Sequence, residues 1–120
     1  MQHLLHKPQF DAVLGTRPAA RTEHFFAHRL LISASQLSLF SGDPLHVGVM
    51  CPKRFAKRAV TRNLIKRQIY ALTSHAPLPN AAYVIRLRAT FSRDQFKSAS
   101  SEALKRTVRT ELQTLLAQLS

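Results

Sequence analysis

The period of the apolar positions changes several times along this chain, and each change marks an element. Leu5, Phe10, Val13 and Leu14 suit a short helix over Leu4–Leu14, interrupted near Pro8. Gly15-Thr16-Arg17-Pro18 then ends it, because glycine readily takes a C-cap conformation and proline cannot continue a helix. His24–Ile32 (HFFAHRLLI) reads as a strand, though its alternation is not clean. Ser33–Pro44 is serine-rich and punctuated by Gly42-Asp43-Pro44, which predicts a connection or hairpin loop. Leu45–Met50 (LHVGVM) is a short β-rich run, with Pro52 tolerable only at its end. Phe55 to about Ser74 has helical spacing, and Ser74–Asn80, with Pro77 and Pro79, stops it. Ala82–Leu87 (AYVIRL) predicts a third strand. Ser92-Arg93-Asp94-Gln95 has the form of a capping box. Beyond it Phe96, Leu104, Val108, Leu112, Leu115 and Leu119 recur at helical spacing to the C-terminus.

The expected order is α-β-β-α-β-α, a small α-β sandwich of the α+β class. A chain of 120 residues encloses one core but not two, so residues 1–120 are read as a single domain. No internal repeat or low-complexity tract interrupts it.

Composition turns this scaffold toward a particular kind of partner. Lys and Arg number 18 against 6 Asp and Glu, a formal charge of +12. So small a body with that charge repels itself unless a polyanion is near, which points to nucleic acid or an anionic membrane. Between Pro44 and Arg93 there is no acidic residue, while Lys53, Arg54, Lys57, Arg58, Arg62, Lys66, Arg67, Arg86, Arg88 and Arg93 all fall there. The charge therefore belongs to the middle of the fold rather than to a tail. No apolar run approaches the roughly 20 residues that span a bilayer. MQHLLHKPQF has neither the apolar stretch nor the cleavage site of a secretory signal. One cysteine, Cys51, excludes an internal disulfide and suits a reducing compartment. These features predict a cytoplasmic protein with no membrane partner.

On a helix at about 100° per residue, Val60, Leu64, Ile65, Ile69, Ala71 and Leu72 share one half, with Lys57, Thr61 and Gln68 intruding. Arg58, Arg62, Asn63, Lys66, Arg67 and Tyr70 take the other. Cations on one face suit a phosphate backbone, because each contact releases condensed counterions. Asn pairs with sugar hydroxyls or bases, and Tyr stacks on an unpaired base. A solvated helix face is the competing reading, but the acids that normally intersperse for i,i+4 pairing are absent.

Lys53-Arg54-Phe55-Ala56-Lys57-Arg58 followed by Ala59-Val60-Thr61-Arg62-Asn63-Leu64-Ile65-Lys66-Arg67 closely resembles the signature of the bacterial ribonuclease P protein subunit. That family has a basic pair after a strand, a spacer, and A-V-x-R-N-x-x-K-R on the next helix. Val47-Gly48-Val49 before it, a Y-V-I strand ending at Arg88 after it, and a final amphipathic helix match the family context. The resemblance covers nearly the whole chain. Leu64, Tyr70-Ala71 and Cys51-Pro52 depart from the pattern, so contacts are carried over for Arg62, Asn63, Lys66 and Arg67.

The resemblance implies a left-handed β-α-β crossover, against the usual hand. It implies that the helix over Phe55–Ser74 faces a catalytic RNA, which cleaves the 5′ leader from precursor tRNA with magnesium ions held by the RNA. It implies that a cleft between the sheet and the first helix takes the leader. By strand parity Phe26 and His28 can share that cleft with Phe10, an aromatic floor suited to variable bases; Phe10 and Phe26 read equally well as ordinary core aromatics. No obligate protein partner is expected.

The residues themselves predict no catalytic role for the chain. Six scattered carboxylates offer no acid–base pair by spacing, and no nucleophile elbow, P-loop or H-E-x-x-H occurs. His3, His6, His24, His28, His46 and His75 have no firm metal-ligand spacing. His24 and His28 share a strand face by parity. Three other readings compete: another basic RNA-binding protein such as a ribosomal protein, a membrane-surface or partner-docking helix, and a self-sufficient ribonuclease.

Overall fold

The computed structural model describes residues 1–91 and 102–120. In chain order it contains β1 (Gln2–His3), α1 (Lys7–Leu14), β2 (Pro18–Arg21), β3 (Phe25–Leu30), β4 (His46–Met50), α2 (Ala59–Thr73), β5 (Ala82–Leu87) and α3 (Glu102–Leu119). The expected α+β sandwich is present. Its sheet, among the described residues, has five strands in the order β1-β4-β5-β3-β2. β4 runs parallel to both β1 and β5, while β3 is antiparallel to β5 and β2. The parallel pair β4–β5 is joined through α2, so this is the crossover unit.

The differences from expectation are local. β1 and β2 appear where no strand is predicted, and the helix at the N-terminus starts later. Pro8 stands in the first turn of α1, where its missing N–H is harmless, so it opens the helix instead of interrupting it. Leu4 stays outside the helix, buried against the sheet at 3% exposure. β3 is shorter than His24–Ile32, and the loop after it holds one 3₁₀ turn at Ala34–Gln36. α2 begins at Ala59, four residues later than Phe55, with Arg58 as an uncapped N-cap. The capping box over Ser92–Gln95 and Phe96 lies outside the described residues.

Strand alternation gives the single domain an apolar layer on each face of its sheet. On one face Tyr83, Ile85 and Leu87 of β5, Phe25 and Ala27 of β3, and Val47 and Val49 of β4 meet α2 and α3. From α2 come Leu64, Ile65 and Ile69; from α3 come Leu104, Val108, Leu112, Leu115, Leu116 and Leu119. Burying each such side chain contributes about 1.5–3 kcal/mol, so the C-terminal leucine row secures this layer. Glu111 of α3 adds polar fastening to the β2–β3 turn, accepting from Thr22 Oγ1 at 2.6 Å and from the backbone of His24 at 2.7 Å. The opposite face carries Val84 and Ala82 against Leu4, Val13 and Phe40, with α1 lying across β3 and β5. Among the described residues no helix is long and apolar enough to cross a membrane.

Candidate nucleic-acid interface

Two surfaces meet at one end of the sheet. Because β4 and β5 are parallel and β3 opposes them, Met50, Arg86 and Phe26 align in one row, which Arg21 of β2 completes. The chain leaving Met50 turns at once into the cationic segment before α2. The basic loop and this row therefore flank the same end of the sheet.

The loop is ordered by its apolar residues and by one arginine. The amides of Phe55 and Ala56 bond to the carbonyl of Pro52, and Ala56 is buried. That leaves Lys53, Arg54, Lys57 and Arg58 exposed, with the Arg54 guanidinium 4.8 Å from the Phe55 ring centre. Arg62 is only half-exposed, and its Nη1 donates to the carbonyls of Ala56 at 3.0 Å and Lys57 at 2.9 Å. It thus holds the loop as well as adding charge. Asn63, Lys66 and Arg67 are exposed on α2. Among the described residues none of these cations is in an ion pair. A row of cations without counter-charges is what a phosphate backbone binds.

The bond pattern of Arg62 makes a prediction. Both bonds leave Nη1, at the far end of a rigid planar group; a lysine ammonium ends about one bond short of that point and on a flexible stem, so it reaches the two carbonyls poorly. Arg62→Lys is expected to bind RNA about tenfold more weakly although its charge is kept, and to melt earlier, since hydrogen bonds to a charged group contribute about 1.5–3 kcal/mol. Full rescue by lysine in filter binding and thermal melts would reduce Arg62 to a point charge.

The apolar half of α2 differs in three places from the wheel. Val60 is 49% exposed and Ala71 is exposed, because the first turn and the flank of the helix lie beyond the sheet. Gln68, read as an intruder, is buried. Tyr70 is half-buried rather than free on the cationic face. Its ring stacks on His3, with centroids 3.7 Å apart and planes at 14°. Burial pushes its phenol up, and a hydrogen bond with the Val49 backbone opposes that. Cys51 at the end of β4 is a protonated thiol, raised by burial to about 11 against the pull of Lys66 and Arg62.

On the other surface, register and parity put Phe26 and His28 on the side of α1. Phe10 joins them there, its ring packed on Gly48, where an added Cβ would lie 2.7 Å from Cε1. Phe26 is flanked by two cations, with the guanidinium of Arg86 4.6 Å and that of Arg88 4.7 Å from its ring centre. Arg88 is held by the β2–β3 turn, donating to the carbonyls of Thr22 at 2.8 Å and Glu23 at 2.9 Å. Arg86 and Arg88 are the site residues that sequence reasoning missed. Their charge is visible in the sequence, but their partner lies on a strand far away along the chain.

His28 is placed beneath this row and is only 4% exposed, so it supports the surface more than it presents itself. Its Nδ1 lies 2.9 Å from the carbonyl oxygen of Thr16, which can only accept, so Nδ1 carries the proton. Nε2 accepts from Nε of Arg86 at 3.1 Å. Burial lowers the pKa of His28; the Thr16 carbonyl opposes this and the charge of Arg86 adds to it. The unfolded chain therefore takes up a proton before the folded protein does. Stability from neutral His28 is complete above the ordinary value of 6.5 and is lost as pH falls from there toward the lowered folded value. Thermal melts across that window are expected to drop less steeply for His28→Gln than for the wild-type chain; identical slopes would contradict this. His24 parts company with His28 despite shared parity. It lies outside β3, with Nδ1 2.7 Å from Glu111 Oε1 and its ring 3.9 Å from that of Phe91.

A basic α+β protein with one cationic helix and one aromatic, cation-framed sheet face is a nucleic-acid-binding class of molecule. The comparisons narrow the class. The sequence matches the family described as Ribonuclease P over residues 1–119. It is 41% identical over 110 residues to a ribonuclease P protein component of Ralstonia pickettii, covering 89% of this chain and 71% of that one. To the corresponding component of Bordetella parapertussis it is 37% identical over 113 residues, covering 90% and 84%. Its fold is similar to the solved RNase P protein of Staphylococcus aureus, with a TM-score of 0.67 at 13% identity over 98% of this chain and 94% of that one. The chain belongs to the ribonuclease P protein family. Membership associates it with a bacterial endoribonuclease of tRNA processing, and the ribosomal-protein reading is not favoured.

Proposed function

We propose that the chain is the non-catalytic protein subunit of ribonuclease P, working in the cytoplasm with two RNA contacts. The loop over Lys53–Arg58 and the exposed side of α2, with Asn63, Lys66 and Arg67, grip the catalytic RNA. The sheet face around Phe26, with Phe10, Arg86 and Arg88, takes the single-stranded 5′ leader of precursor tRNA. Cleavage belongs to the RNA and the magnesium ions it holds. The protein supplies position and counter-charge.

The observation that carries this reading is the meeting of the two surfaces at one end of the sheet. One RNA held by α2 and a second strand on the aromatic face would thereby be brought side by side. Phe26 and the two guanidinium planes over its ring together form a flat, cationic stacking surface suited to any base, since every base has a stacking face. His28, buried and committed to Thr16 and Arg86, acts by orienting Arg86.

The test is the affinity of the assembled ribonucleoprotein for precursor tRNA relative to mature tRNA. Phe26→Ala is expected to lower the precursor affinity by roughly tenfold, in keeping with the loss of one stacked base. Mature tRNA should bind as before. An equal loss for both ligands, or none for either, would remove the leader from this face.

A further inference from the structure

The stack of His3 on Tyr70 belongs to neither of the two proposed RNA contacts, and its setting is unusual for a residue of a two-residue strand. β1 is fastened on both sides of His3: the amide of Gln2 bonds to the carbonyl of Leu45 and that of Leu4 to the carbonyl of Val47, both at 2.9 Å. Leu4 is buried, and the Gln2 side chain accepts from the Asp43 amide at 3.2 Å. His3 is thus held in register beside Val47, on the face of the sheet that α2 covers.

Its partner is equally fixed. Tyr70 packs against the main core and follows Asn63, Lys66 and Arg67 on α2 at helical spacing. Yet His3 itself is exposed. With one ring face closed by Tyr70, that exposure belongs to the other face and the edge. The His3 ring nitrogens have no hydrogen-bond partner among the described residues. The result is a flat, pre-ordered aromatic step at the end of a cation row.

Resting on the reading that α2 grips the catalytic RNA, we propose that His3, backed by Tyr70, is the seat for one unpaired base of that RNA. Stacking on a fixed ring costs little ordering, and it tolerates any base. The cations beside it hold the flanking phosphates. The leader is not the occupant, because its proposed surface lies on the opposite face of the sheet.

The experiment measures binding of a bacterial ribonuclease P RNA to the full chain and to His3→Ala and His3→Phe, each across a salt series. Alanine is expected to weaken binding by about 5- to 50-fold without changing the salt slope, since a stacked base carries no counterion term. Phenylalanine is expected to bind like the wild type. Wild-type affinity for His3→Ala would overturn the proposal, and so would tighter binding, which would make His3 a cover over Tyr70. A loss for His3→Phe as large as for alanine would overturn it as well, even if alanine loosens β1 in thermal melts. A wild-type chain that fails to prefer this RNA over an unrelated structured RNA would instead defeat the broader reading.

Discussion

Replacing Lys66 and Arg67 together by alanine is expected to weaken binding of ribonuclease P RNA by about a hundredfold at moderate salt. Both side chains are exposed on α2, and neither is in an ion pair among the described residues. Among the described residues Arg67 makes one long contact within its own helix, from Nε to the Asn63 carbonyl at 3.4 Å. Their loss therefore leaves the fold alone. Each phosphate contact adds about 0.9 to the slope of log affinity against log salt, so two lost contacts flatten it by roughly 1.8. A salt series by filter binding checks both numbers. Parallel lines for the two proteins, whatever their offset, would show that these cations do not meet phosphates.

Gly48→Ala should act on the other surface and through packing alone. A Cβ at this position of β4 would lie 2.7 and 2.8 Å from the Phe10 ring and 3.0 Å from Cβ of Leu4. The ring must leave, carrying the floor of the sheet face with it. Overpacking of this kind costs about 1–3 kcal/mol, so the melting temperature should fall by several degrees. The leader-dependent part of precursor-tRNA binding should fall with it, while affinity for ribonuclease P RNA stays within about twofold, α2 being on the opposite face. An unchanged melt would mean that Phe10 yields freely. A loss confined to the catalytic RNA would mean that the two surfaces are assigned the wrong way round.

The elements legible in the sequence were those whose length lets a period develop. α3 buries Leu104, Val108, Leu112, Leu115 and Leu119, the row that its spacing marks. β3 is regular from Phe25 to Leu30, so parity placed Phe26 and His28 on one face; His24, one residue before the strand, escaped that rule. β1 is two residues long and β2 begins with a proline, so neither carries a pattern to read. α2 starts four residues later than its spacing predicts, because the cations continue that spacing backward and Arg58 gives no side-chain cap. The exposed cations of the interface were visible as charge. Their division of labour was not: Arg62 braces two carbonyls of the preceding loop, while Arg86 and Arg88 over Phe26 and His3 stacked on Tyr70 depend on contacts between distant segments.

On the proposed function, this protein enables an RNA enzyme rather than cutting RNA itself. The direct measurement is precursor-tRNA cleavage at low magnesium with a bacterial ribonuclease P RNA, with and without the chain. Strong stimulation at the mature 5′ end, absent when the RNA is omitted, is the expected result. Cleavage by the protein alone, or no stimulation with an RNA from the same source, would contradict it.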